Sequence, residues 1–318
     1  MLPALRIASR GSELALWQSR AVQAALTAAD PALQVEIDVI KTTGDRIQDV
    51  PLAKIGDKGL FTKELDAALL SGAADLAVHS LKDVPTRLPD GLVLAAVTTR
   101  EDPRDVVLLP PGRRGGLYYV KTGAKVGTSS LRRRAQLQAL RPDLEIADLR
   151  GNLNTRLAKL DAGAYDAIIL AAAGVLRLGW AERIGQYLGT PAWLPAVGQG
   201  ALAVVARADR RDVLDRLVPL HDPHTAACTT AERALLRALE GGCQVPIGAL
   251  GTVDGDAVVL HGLVADLDGR RILRVQEVGS VADAEEVGRR AADALLARGA
   301  GEILAGIRAA LAPEPAAP

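Results

Sequence analysis

Arginine, lysine and small hydroxyl residues recur in this chain where an apolar run gives way to an amphipathic one. In RIASRGSELAL, Arg10 and Ser12 fall at such a junction, where the free N–H groups and dipole of a helix start favour an anion. An N-cap serine beside a solvated arginine is the competing reading. ADLAVHSLKDVPTRLP ends a buried run in Ser80, Lys82 and Asp83, with Pro85 enforcing an extended exit. Strand ends of α/β folds are where ligands bind, yet an adjacent Lys-Asp pair also suits plain surface. VGTSSLRRRAQL presents Thr128, Ser129 and Ser130, then Arg132 and Arg133 one turn on. That pattern suits phosphate or carboxylate capture, and equally a solvated basic face. DLRGNLNTRL adds Arg150 and Arg156, and GVLRLGW adds Arg177. Lys54 and Lys58 lie in the glycine-containing stretch LAKIGDKGLFTKEL, which reads as a cationic flap or as a solvated loop. Arginines at so many equivalent junctions argue for one cation-lined cleft. It would suit a ligand with several carboxylates, each gripped by a guanidinium through two hydrogen bonds.

A thiol is the other reactive group. Cys243, in LEGGCQVPIGAL, follows Gly241 and Gly242, which read as a helix stop. The negative end of the helix dipole raises a nearby thiol above its ordinary pKa of about 8.5, and no histidine partners it convincingly. An exposed attachment point in a loop fits better than an activated nucleophile. An inert buried cysteine is the alternative, and Cys228, inside a helical pattern, suits that alternative well. Two cysteines exclude a disulfide scaffold or a four-cysteine zinc site. His79, His221, His224 and His261 are too dispersed for an obvious metal cluster, and HDPH reads as a helix start capped by Asp222 and Pro223.

The elements that must carry these residues follow from periodicity. A chain of 318 residues is expected to hold two or three domains. Its 49% hydrophobic and 24% charged residues belong to a globular protein with ample core, and aromatics at 3% make that core aliphatic. Lys plus Arg and Asp plus Glu balance at 38 each, without the basic surplus of a general nucleic-acid binder. No early segment joins a basic start to a long apolar run, so neither signal peptide nor membrane span is expected, and the default compartment is the cytosol.

ALRIAS, QVEIDVI, ADLAVHS and LVLAAVT read as strands between amphipathic helices, the rhythm of a mainly parallel sheet. A charged, Pro- and Gly-rich break falls near TTREDPRDVVLLPPGRRGG, after which strand–helix alternation restarts from AKVGTSS to YDAIILAAAG. GQGALAVVAR supplies a further strand, with the chain crossing back to the first unit. Past residue 219 the pattern changes: a helix over about Thr225 to Glu240, the bend GGCQVPIGALGTV, a hairpin turning at LDGR, and two Ala-rich helices before a frayed tail APEPAAP. The expected division is 1–100 with 200–218, 101–199, and 219–318.

Assembled in order, IASRGSELALWQ, KGLFTKELDAALLSGAADLAVHSLKDVPT, VGTSSLRRRAQL, LRGNLNTRL, DAIILAAAGVLRLG, PAVGQGALAV and EGGCQVPIGAL closely resemble the porphobilinogen deaminase (hydroxymethylbilane synthase) family. The matches run from residue 7 to about 250; the remainder matches only in pattern. The resemblance implies an α/β fold of two domains like those of periplasmic binding proteins, plus a small C-terminal α+β domain. It implies one dipyrromethane cofactor per chain, held by a thioether through Cys243. The implied activity joins four porphobilinogen units to that primer, releases four ammonia molecules and hydrolyses off a linear tetrapyrrole. Asp83 would be the catalytic carboxylate, since loss of ammonia from an aminomethylpyrrole leaves a cationic azafulvene that a fixed anion stabilises. Ser12, Ser80, Lys82, Thr128, Ser129, Arg132, Arg133 and Arg150 would hold the cofactor's acid side chains. Arg10, Arg156, Arg177 and Gln199 would serve the substrate, and Lys54, Lys58 and Phe61 an active-site loop.

No metal, nucleic acid or membrane is implied, and a monomer is expected. Two departures stand out: Gly56-Asp57 replaces the family's usual Gly-Gly, and PPGRRGGLYYVKTGAK diverges as a surface segment. A two-domain binder of anionic ligands without catalysis is the main alternative. A reversible receptor, however, has no use for a tethering thiol, and retention of Asp83 with Cys243 argues against a lapsed enzyme.

Overall fold

The computed structural model describes residues 4–46, 62–239 and 245–311. The chain opens with β1 (Leu5–Ser9), α1 (Glu13–Ala29), β2 (Val35–Val39), the single turn α2 (Thr43–Arg46), α3 (Lys63–Leu70), β3 (Leu76–Ser80) and β4 (Leu92–Val97). It then crosses to a second lobe: β5 (Asp105–Leu108), β6 (Lys125–Gly127), α4 (Leu131–Leu140), β7 (Glu145–Ala147), α5 (Leu153–Asp161), β8 (Ala167–Ala171), α6 (Ala172–Arg177) and β9 (Ile184–Tyr187). A return crossing delivers β10 (Leu202–Arg207) and α7 (Arg211–Leu217) to the first lobe.

The two sheets have the same plan, β2-β1-β3-β10-β4 and β7-β6-β8-β5-β9. The expectation of mainly parallel sheets holds in strand direction, with one inverted strand in each. In the first sheet β1 is parallel to β2 and β3, while β10 runs antiparallel to both its neighbours. In the second, β6 is parallel to β7 and β8, and β5 is antiparallel to β8 and β9. The inverted strand in each sheet is the one brought by a crossing. Local strand–helix–strand units return the chain to the same edge and give parallel neighbours. A segment arriving from the other lobe enters at the far ends of those strands and runs back: Leu202 faces Ser80, and Asp105 faces Ala171. β5 and β9 went unread in the sequence because each is four residues long and lies in stretches resembling loop.

The lobes bury aliphatic cores, as the aromatic-poor composition requires. Ile7, Leu76 and Val204 meet Val22 and Leu26 of α1 in the first; Val107, Val126 and Ile169 meet Leu137 of α4 in the second. The diverging segment after β5 is surface only in part, which corrects the expectation: Tyr118 and Tyr119 are exposed, but Leu117, Val120 and Ala124 are buried in the core of the second lobe.

The third unit begins with α8 (Pro223–Ala238), whose N-cap Asp222 accepts from the Thr225 N–H with Pro223 in the first turn, as the HDPH signal required. Three antiparallel strands follow, β11 (Ile247–Asp254), β12 (Ala257–Ala265) and β13 (Ile272–Ser280), then α9 (Ala284–Ala297) and α10 (Ala300–Leu311). The expected hairpin is β12–β13. β11 was not read as a strand in the sequence, and its Gly248 and Gly251 permit close approach. A Cβ on Gly251 would lie 2.9 Å from the Cys228 carbonyl oxygen, and one on Gly248 3.2 Å from Arg132 Cδ.

Candidate active site

Helix starts and strand ends place the cations. Ser12 caps α1 by accepting from the Ala15 N–H, Ser130 caps α4 from Arg133, and Asn152 caps α5 from Thr155. Each cap fixes where the following arginines emerge. Ser80 closes β3, and Lys82 and Asp83 sit on the single 3-10 turn Leu81–Asp83 that follows it. Gly198, at φ +72°, lies against Leu81, where a Cβ would come within 2.9 Å of its side chain; only glycine lets the return crossing pass so close to that turn.

One cavity of about 690 Å³ lies between the lobes. Arg10, Ser12, Ser80, Lys82 and Asp83 line it from the first lobe; Thr128, Ser129, Arg132, Arg133, Arg150, Arg156 and Arg177 from the second; and Gln199 from the return crossing. Every expected site residue among the described ones is therefore gathered at one place. Leu236 of α8 with Val245 and Ile247 bring the third unit to the same wall. Cys243, Lys54, Lys58 and Phe61, with Gly56-Asp57 and the tail, lie outside the described residues.

The two carboxylates of this region differ in their partners. Asp83 receives no hydrogen bond among the described residues, and it feels the charges of Lys82 and Arg156. Asp105, absent from the sequence reading, is fully buried and saturated. Its Oδ1 accepts from Arg133 Nη2 at 2.7 Å and Gln199 Nε2 at 2.9 Å. Its Oδ2 accepts from Arg132 Nη1 at 2.7 Å and Trp193 Nε1 at 2.8 Å. Burial alone would raise its pKa, but the two guanidiniums override that and hold it far below the usual carboxylate range. The only hint in the sequence was an acidic residue opening the β-branched run DVVLL.

Other partners revise the sequence reading in detail. Arg132 and Arg133 are buried, and each also donates to a backbone carbonyl, Leu194 and Ile169 respectively; they are not the free forks their helix position suggested. The Ser129 hydroxyl donates to the Leu149 carbonyl and accepts from the Leu149 N–H, so its hydrogen is already committed. Ser80 Oγ accepts from Gln18 Nε2, leaving its own hydrogen for another acceptor. Lys82 Nζ donates to Gln199 Oε1 at 3.4 Å. Burial pushes the Lys82 ammonium down to about 8 against the pull of Asp83, and burial with the neighbouring Arg133 and Arg150 brings Arg156 down to about 10. Cys228 is buried, its thiol pushed up to about 11 by burial and Glu232, which suits an inert side chain. Among the described residues no histidine, cysteine and carboxylate cluster could hold a metal, and no helix is long and apolar enough to cross a membrane.

Fold and site together define a two-lobed α/β protein whose cation-lined cleft suits an acid-bearing ligand. The family model for the porphobilinogen deaminase dipyromethane cofactor-binding domain matches residues 5–215, and that for the porphobilinogen deaminase C-terminal domain matches 226–297. Porphobilinogen deaminases of Moorella thermoacetica and Syntrophobacter fumaroxidans are 55% and 53% identical, covering 96% and 94% of this chain and 97% and 96% of their own. That of Prochlorococcus marinus is 51% identical over 99% of both chains. The chain belongs to the porphobilinogen deaminase family. Its activity is that of hydroxymethylbilane synthase, which assembles four porphobilinogen molecules on a dipyrromethane cofactor with loss of four ammonia molecules and releases a linear tetrapyrrole. Among solved structures, the Bordetella pertussis BvgS periplasmic VFT2 domain aligns over 69% of this chain and 86% of its own, at 17% identity and a TM-score of 0.42. A Burkholderia cenocepacia nutrient-binding protein bound to methionine aligns over 68% and 90%, at 15% identity and a TM-score of 0.42.

Proposed function

We propose that Asp83 is the catalytic carboxylate of this reaction, that Cys243 carries the dipyrromethane, and that the cleft cations divide between cofactor and substrate. Ser12, Ser80, Lys82, Thr128, Ser129 through its backbone N–H, Arg132, Arg133 and Arg150 hold the cofactor's acid arms, and Arg10, Arg156 and Arg177 receive those of the incoming porphobilinogen, with Gln199 acting there through Lys82. Lys54, Lys58 and Phe61, outside the described residues, are assigned to the family's active-site loop. The observation that carries this reading is the contrast between a carboxylate that accepts no hydrogen bond among the described residues, in a cation-lined cavity, and another, Asp105, saturated behind it.

The residues suit a primer rich in carboxylates. The Nε donors of Arg133 and Arg150 are buried without an acceptor among the described residues, and an acid arm is the natural acceptor for such groups. When bound, the dipyrromethane would supply a free pyrrole α-carbon as the nucleophile toward the methylene carbon that ammonia leaves, the new C–C bond replacing the C–N bond and the α-carbon losing its proton. The chain's own residues do the rest. Guanidiniums neutralise and orient the acid arms, which turns a bimolecular encounter into a positioned one. As ammonia leaves porphobilinogen, the positive charge spreads over the pyrrole, and the fixed Asp83 anion lowers the energy of that cation in a partly dehydrated cleft. Leu236 and Val245, on either side of residues 240–244, line the cavity, which supports attachment through Cys243.

The units 1–100 with 200–218, 101–199 and 219–318 are proposed as three domains, with a monomeric, cytoplasmic enzyme that binds no nucleic acid. Intact mass tests the attachment. The wild type and Cys228→Ser should carry the primer mass and gain stepwise adducts on addition of porphobilinogen, whereas Cys243→Ser should carry neither. A bare but fully active wild-type chain would overturn the assignment.

A further inference from the structure

We infer that Asp105 is a positioning residue for the reaction: its carboxylate aims the guanidiniums of Arg132 and Arg133, and through Gln199 the Lys82 ammonium, at the acid arms in the cleft. This rests on the assignment of those cations to the cofactor and substrate.

A bidentate grip on a carboxylate needs a guanidinium held in a fixed plane, whereas an arginine side chain is long and rotatable. Asp105 removes that freedom. It uses all four acceptor positions of a carboxylate on donors from two segments: α4, and the return crossing at Trp193 and Gln199. Asp105 itself opens β5 at the end of the outward crossing. Leu194 and Ile169 carbonyls give each guanidinium a second fixed point. Gln199, held by Asp105 and by the Pro103 carbonyl, turns its Oε1 to Lys82. One buried anion between two buried cations offsets their repulsion and leaves the trio with one net positive charge, so attraction for an acid arm survives. Asp105 and Trp193 do not line the cavity, while Arg132, Arg133, Gln199 and Lys82 do; an effect of the first pair on ligand has to pass through the second.

The test uses Asp105→Asn in the full chain. The amide donates where Arg132 and Trp193 donate, so the array loses its aim. The folded variant, checked by circular dichroism, should show primer occupancy reduced at least about threefold by intact mass. Chains that are loaded should show KM for porphobilinogen raised about tenfold, with kcat per loaded chain within about threefold because Asp83 is untouched. A scaffold role alone would lower stability and leave occupancy and KM of the folded fraction unchanged, which overturns the proposal. Should Asp105→Asn fail to fold, Trp193→Phe decides. It removes one donor and keeps an apolar ring, and a KM raised about threefold supports the role while an unchanged KM overturns it. Arg133→Gln separates the two layers. Normal occupancy and KM in Arg133→Gln sink the assignment of the arginine to ligand. Loss there, with Asp105→Asn and Trp193→Phe both normal, sinks the positioning role.

Discussion

Two aspartates within one cleft region show how environment assigns work to the same side chain. Asp105 has its acceptor positions filled by Arg132, Arg133, Trp193 and Gln199, so it has nothing left for a substrate. Asp83 feels the charges of Lys82 and Arg156 and accepts no hydrogen bond among the described residues, so its anion is available to a positive species arriving in the cavity. Its sequence neighbours forecast this, because LKD at a strand end presents charge at the mouth of an α/β fold. The role of Asp105 was hidden because its partners lie 27 to 94 positions away in the chain. Asp83→Asn keeps shape and removes the charge. It should leave folding and primer mass intact while lowering kcat about 10²- to 10³-fold, the usual effect of deleting one fixed stabilising group. Turnover of the loaded variant within threefold of wild type would remove Asp83 from the mechanism.

Among the elements, β3 shows what a buried strand costs when it carries a titratable group. Its five residues LAVHS lie between β1 and β10, and His79 is buried with Nε2 lacking a partner among the described residues. Burial, reinforced by Arg10, lowers its pKa from 6.5 to about 4. The folded chain therefore keeps His79 neutral where the unfolded chain binds a proton, and stability rises with pH across that window. Stability is accordingly lost as pH falls from about 6.5 towards 4, by about 3 kcal/mol in total at 1.36 kcal/mol per unit. Denaturant midpoints from pH 7 to 4.5 should fall for the wild type and flatten for His79→Gln; parallel slopes would remove the histidine as the cause. The same elements divide what was legible from what was not. Helix starts at Ser12, Ser130 and Asn152 were readable because cap chemistry is local. β11 was not, because its glycines answer to Cys228 and Arg132, which only folding brings near.

On the scale of the molecule, three bodies meet at Glu232 of α8. Its carboxylate holds Arg100 of the outward crossing at 2.6 Å and accepts from the backbone N–H groups of Gly198 on the return crossing and Gly251 on β11. The adjoining Arg233 donates to the Val84 and Pro85 carbonyls just beyond Asp83. α8 thus joins both crossings, the turn that carries Asp83 and the third unit. Arg100→Met would leave Glu232, which is fully buried, as an uncompensated charge. It should cost about 3–5 kcal/mol in urea unfolding; a loss below about 1 kcal/mol would deny Glu232 this role. The sequence alone determined the alternation of strands and helices, the cap positions and the supply of cations at strand ends, because each depends on neighbours within a few positions. Only the tertiary structure decided that each crossing strand runs backwards in its sheet, that Asp105 sits behind the arginines and that α8 fastens the lobes. Those outcomes depend on which distant segments share the same dehydrated space, and hydrogen bonds and charges there are settled by proximity in the fold.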